Sequence, residues 1–105
     1  MPAFGMDLSI KERDSGPLKG RIYPIACKTW FTAAGKAMPL SFKFQGDDGE
    51  VRRVGELRIL WEEEKNYAGV PSREYGCQAV VGGLLREIRL VFYVETCRWI
   101  MVIQG

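Results

Sequence analysis

Histidine is absent from the 105 residues. That removes the side chain most used for proton transfer near neutral pH, and with it any Cys–His or Ser–His–Asp mechanism confined to one chain. Cysteine is scarce: Cys27, Cys77 and Cys97 are an odd number and form no CxxC pair. Structural zinc normally takes four Cys or His ligands, so no metal site is expected. The three thiols read as small buried hydrophobes in a reducing cytosol. Long apolar runs are also missing. No stretch approaches the ~20 residues needed to span a bilayer, and the N-terminus lacks a signal peptide's charged and apolar parts. The expectation is a soluble cytoplasmic protein with no membrane partner and no cofactor.

A strong excess of one charge is lacking too. Fifteen Lys and Arg against thirteen Asp and Glu leave a net charge of +2. Proteins that neutralise many phosphates usually carry a larger basic bias, so any nucleic-acid surface here has to be local. The phosphate-loop pattern fails as well. Gly35-Lys36 matches its end, but Trp30 stands where the first glycine belongs and Ala37 replaces Ser or Thr. Carboxylates occur in two runs, Asp47-Asp48 with Glu50 and Glu62 to Glu64. Runs of this kind belong to solvated surfaces, and no catalytic residue is assigned.

What the chain has in quantity is alternation of period two, the signature of strands. Residues 1–19 are the exception, with only a weak amphipathic pattern around Leu8 and Ile10. They are expected to form an N-terminal arm, loose or with a short helical turn, ahead of one domain over 20–105. From Arg21 to Phe31 the residues Tyr23, Ile25, Cys27 and Phe31 share one parity, with Pro24 marking an edge or bend. Leu40, Phe42 and Phe44 alternate with Ser41, Lys43 and Gln45, and Asp47-Asp48-Gly49 follows as a turn. The return strand pauses at Gly55 and continues through Leu57 and Ile59 to Trp61, and a glycine there suggests a bulge or bend. Residues 62–72 read as the longest irregular connection. Tyr75 to Val81, the Gly82-Gly83 turn and Leu84 to Phe92 read as a hairpin, and Cys97 to Ile103 as the last strand. About six short strands and no helical period predict an all-β domain. A small, partly open antiparallel barrel of SH3 or OB-like size is favoured, with Phe42, Phe44, Trp61, Phe92 and Trp99 inside.

The spaced residues Phe31-x-x-x-Gly35-x-x-x-Pro39-Leu40-x-Phe42, then Gly49, Val54 and Leu57, Tyr75-x-Cys77-x-Ala79-x-Val81, Leu90-x-Phe92-Tyr93 and Trp99-x-Met101 span residues 21–103. In this pattern the chain resembles a family of small bacterial proteins of similar length that travel on mobile elements. The resemblance implies the same small β fold and carries no activity and no site residue across.

Two surfaces are candidates for binding; the expectation is a non-enzymatic interaction module acting through protein–protein contact or self-association, with single-stranded nucleic acid as the alternative. Opposite the core parity lie Lys28, Trp30, Lys43, Arg58, Arg89 and Arg98. Basic residues beside exposed aromatics suit single-stranded nucleic acid, where charge follows the backbone and rings stack on bases. Leu85, Val91, Tyr93, Ile100 and Val102 also lie on the outward parity and are apolar. Apolar residues on both parities of neighbouring strands predict burial on both sides, by the N-terminal arm, a protein partner or a second copy in a homodimer. Tyr67 and Arg73 stand at the predicted irregular connection, where binding residues often collect.

Overall fold

The computed structural model describes residues 20–104. The expected N-terminal arm, residues 1–19, lies outside them. Seven strands follow one another: β1 (Arg21–Phe31), β2 (Ala37–Gln45), β3 (Val51–Val54), β4 (Arg58–Tyr67), β5 (Val70–Val81), β6 (Leu84–Tyr93) and β7 (Arg98–Ile103). All pairings are antiparallel, and the sheet order is β3-β2-β1-β7-β6-β5-β4. The fold is all-β, as the alternation predicts, with seven strands where about six were expected.

One short connection dictates the shape. β3 and β4 are the two edges of the sheet, yet only Gly55, Glu56 and Leu57 join them. In a flat sheet of this order the edges would stand roughly 29 Å apart, at about 4.8 Å per strand. A three-residue link spans at most about 14 Å. The sheet therefore curls until its edges approach, and β3 packs against β5. The edges do not hydrogen-bond to each other, so the curl is left open along a seam.

The inner face holds the main core. Phe42, Phe44, Val54, Tyr75, Cys77, Leu90, Phe92, Trp99 and Met101 are buried there, with Tyr23, Ile25, Cys27 and Ile59 packed against them. Burying a side chain such as Leu90 contributes roughly 1.5–3 kcal/mol. A second, smaller cluster lies on the outer face of β6 and β7: Val91, Tyr93, Ile100 and Val102, with Ile22 against it. The second half of β6 and nearly all of β7 are thus buried on both faces, which their continuous apolar runs predict.

Four local expectations need correction. Trp61 is not in the core. Ile59 pairs with Cys77 and Trp61 with Gly76, so Leu60 is an extra residue that turns Trp61 to the outer face, where it is 44% exposed. Leu40 is likewise the extra residue of a bulge between the Lys28–Ser41 and Thr29–Pro39 pairs, and it is exposed while Phe42 and Phe44 are buried. The predicted irregular connection over 62–72 is instead a tight hairpin, with Ala68 and Gly69 at positive φ joining β4 to β5. Gly55 lies in the β3–β4 link and not within a strand. Pro24 is tolerated in a central strand because β1 pairs with β2 only from Ile25 onward, leaving Pro24 a partner on the β7 side alone. Among the described residues, no helix is long and apolar enough to cross a membrane.

Candidate nucleic-acid interface

The β1–β2 and β2–β3 hairpins set the register of the outer face at one end of the sheet. In the first, Thr32 donates its N–H to the Lys36 carbonyl at 2.9 Å, and Gly35, at positive φ, donates to the Thr32 carbonyl at 2.8 Å. In the second, Gly46 donates to the Glu50 carbonyl at 2.8 Å, and Asp48 accepts from the Glu50 N–H at 3.0 Å. These closures place Lys43 directly opposite Arg53 on β3, and opposite Ala26 on β1. Lys28 faces Ser41, which makes it the diagonal neighbour of Lys43. Direct pairs sit about 4.5–5.5 Å apart at Cβ and diagonal ones about 7–8 Å.

Three cations therefore stand together around a shallow concavity of about 490 Å³ lined by Ala26, Lys28, Ser41, Lys43 and Arg53. Like charges directly opposite each other across a strand pair are unfavourable. No described carboxylate forms an ion pair with Lys28, Lys43 or Arg53. Trp30, two residues along β1 and opposite Met38, stands on the same face and is 63% exposed. Arg98 continues the row past Ala26: Trp99 pairs with Ile25, and Arg98 is the next residue on β7.

Of the six residues that the sequence marks for this surface, Lys28, Trp30, Lys43 and Arg98 share one region. Arg58 and Arg89 do not. Arg58 opens the edge strand β4 opposite Gln78, and Arg89 lies on β6 beside the buried Glu74, 3.6 Å away. Arg53 was missed in the sequence because β3 is only four residues long and its two arginines obscure the parity. Counting register back from the Asp47–Gly49 turn would have found it, since Gln45 pairs with Val51.

The five apolar candidates separate as well. Val91, Tyr93, Ile100 and Val102 are buried within the single chain and offer no open contact surface. Leu85 is 66% exposed and pairs with the exposed Val80 across the β5–β6 hairpin. Both line a concavity of about 720 Å³ at the seam, together with Leu40, Leu57 and Arg58.

Tyr67 and Arg73 fall on β4 and β5, and Arg73 helps to fasten the other end of the curl. Its guanidinium pairs with Glu62 at 2.9 Å and Glu64 at 2.5 Å, and Lys36 at the end of the β1–β2 hairpin reaches Glu62 at 2.5 Å. Arg73 Nε donates to the Tyr75 hydroxyl at 3.2 Å, and that hydroxyl donates to the Ala37 carbonyl on β2. The hydrogen bond from Lys36 holds the Glu62 carboxyl below its ordinary value, against the opposing effect of burial and with Arg73 adding to it. Burial raises the Tyr75 hydroxyl. At the opposite end, Asp47 pairs with Arg21 at 2.5 Å and Asp48 with Arg52 at 2.7 Å. The carboxylate runs singled out in the sequence thus include members that fasten strands together.

Cys77 is buried, and desolvation pushes its thiol up to about 12; burial also raises Cys27. Both are poor nucleophiles in this setting. Among the described residues, no group of three or more Cys, Asp or Glu side chains is placed to hold a metal ion. Compared with known protein families, curated proteins and solved structures, the chain matches none.

Proposed function

We propose that the protein is a non-enzymatic binding module that holds single-stranded nucleic acid on the outer face of β1, β2 and β3. The observation that carries this reading is the cross-strand Lys43–Arg53 pair, with Lys28 at the diagonal, no described acid paired to them, and Trp30 exposed beside them. A polyanion removes the repulsion within the cluster, and an indole offers a stacking surface that does not depend on base identity. Extended strands at a sheet face suit a flexible single strand better than the groove of a duplex.

Fluorescence anisotropy with a labelled single-stranded oligonucleotide tests the proposal. Binding is expected to weaken steeply with salt, with a log–log slope near −2 for about three phosphate contacts. Trp30→Ala is expected to cost about 1–3 kcal/mol of affinity if one base stacks there. Equal retention of the wild type and a Lys28→Glu, Lys43→Glu variant would refute the assignment.

A second reading rests on the exposed Val80, Leu84 and Leu85 at the β5–β6 hairpin and on Leu40 across the seam. Grouped apolar side chains of this kind favour contact with a protein partner or a second copy. Replacing Leu84 and Leu85 by Lys would then lower the sedimenting mass and leave oligonucleotide binding unchanged.

A further inference from the structure

Three arginines stand on the inward-facing parity at one end of the curl, where apolar residues are the rule. Arg21 pairs with the buried Ile103, Arg52 with the buried Phe44 and Arg86 with the buried Ala79, and residues directly opposite across a strand pair share a face. All three border one concavity of about 400 Å³ that opens at this end. Its apolar wall is Phe44, Met101 and Ile103, with the Tyr23 ring edge-on to Phe44 at 5.3 Å. Mouths of β-barrels are common sites for small ligands, where an apolar lining carries a few placed polar groups.

The charges around this mouth do not balance. Asp47 takes Arg21 at 2.5 Å and the Tyr23 hydroxyl at 3.2 Å, and Asp48 takes Arg52 at 2.7 Å. No described carboxylate forms an ion pair with Arg86, whose guanidinium donates to the Gln104 carbonyl at 2.6 Å. Three arginines against two aspartates leave one positive charge at the rim. Burial raises the Tyr23 hydroxyl above its ordinary value, while Arg21 and, less strongly, Arg86 oppose it, so the Arg86 charge lies close to the apolar wall.

We propose that this mouth binds a small organic monocarboxylate, its apolar body against Phe44, Met101 and Ile103 and its head on Arg86. A guanidinium presents parallel N–H groups that match the two oxygens of a carboxylate. One net charge fits a monoanion, and Asp47 and Asp48 beside it repel the second charge of a phosphate monoester. The site is separate from the basic outer face, because Lys28, Lys43 and Arg53 lie on the opposite parity of β1, β2 and β3.

Octanoate titrated into methyl-labelled full-length protein tests the proposal. Saturable shifts are expected at the Met101 and Ile103 methyls, with those of Val91, Ile100 and Val102 on the outer face unmoved. Octylammonium, which has the same body and the opposite charge, should give none, and octyl phosphate should bind no more tightly than octanoate. Arg86→Gln should weaken octanoate at least about tenfold, through loss of a charge-assisted pair. The assignment is overturned by shifts that are absent at millimolar octanoate or confined to other methyls, by equal binding of octylammonium, or by a preference for octyl phosphate. Equal octanoate affinity in a folded Arg86→Gln protein overturns it too, and the wild-type shifts decide the matter if that variant does not fold. Single-stranded oligonucleotide should leave the octanoate shifts in place; displacement would merge the two anion sites and remove this one.

Discussion

Gly76 on β5 lies directly opposite Trp61 on β4, and the indole covers the glycine so closely that a Cβ there would overlap the ring. The bulge at Leu60 creates this relationship by turning Trp61 outward, and the missing side chain at Gly76 gives the ring a flat backbone to rest on. Gly76→Ala must therefore displace the indole. The variant is expected to lose about 1–3 kcal/mol, the usual range for forcing extra atoms into a packed site. Urea denaturation measures the loss. In a Trp61→Ala background the same substitution should cost much less, and a double-mutant cycle isolates the coupling.

The charged fastening between β2, β4 and β5 predicts a pH dependence with a definite sign. Glu62 titrates below its unfolded value of about 4.5 because Lys36 and Arg73 favour its charged form. The folded state thus holds on to the carboxylate more strongly than the unfolded chain does. Its contribution to stability is complete above about pH 4.5 and disappears as pH falls through the lower, folded-state value. Denaturation midpoints between pH 7 and pH 3 should fall less steeply in Glu62→Gln than in the wild type. An identical profile would remove Glu62 from the fastening.

Much of the fold is legible in the sequence because side-chain parity is a local property. The alternation at Tyr75–Val81, the Gly82-Gly83 turn and the two-faced apolar run at Val91–Phe92 and Ile100–Met101 each specify strand, turn and burial without reference to distant residues. The bulges were not legible. Leu40 and Trp61 stand in positions that continue the alternation, and only the pairing partners show that Leu40 is surplus and that an extra residue at Leu60 turns Trp61 outward. The charged stretch Glu62–Lys65 looked like a loop because an edge strand tolerates charge on both parities. The candidate site was half legible for a related reason. Lys28, Trp30 and Lys43 share a parity that the sequence displays, but their proximity to Arg53, and the separation of Arg58 and Arg89 from them, depend on sheet order.

The β4–β5 hairpin carries a correctable strain. Ala68 and Gly69 occupy its two turn positions with φ of 53° and 83°. Positive φ at both positions is the arrangement that Asn-Gly adopts most readily, whereas alanine pays a steric penalty in it. Ala68→Asn should raise stability by about 1 kcal/mol, read as a higher urea midpoint with an unchanged slope. A fall in the midpoint would show that the alanine methyl makes a contact worth more than the relief.

Lys43 separates a role in binding from a role in folding. It faces Arg53 across the β2–β3 pair, and no described acid forms an ion pair with either. If the position served stability alone, an opposite charge there would be the better residue. Lys43→Glu converts a repulsive cross-strand pair into an attractive one and should stabilise the fold by about 0.2–1 kcal/mol. The same change removes one phosphate contact and adds a negative charge to the face. Oligonucleotide affinity should fall, with the log–log salt slope smaller by about 0.7. The two measurements are expected to move in opposite directions. A variant that lost stability and kept its affinity would place Lys43 in the framework of the fold and leave the β1–β3 face without its central cation.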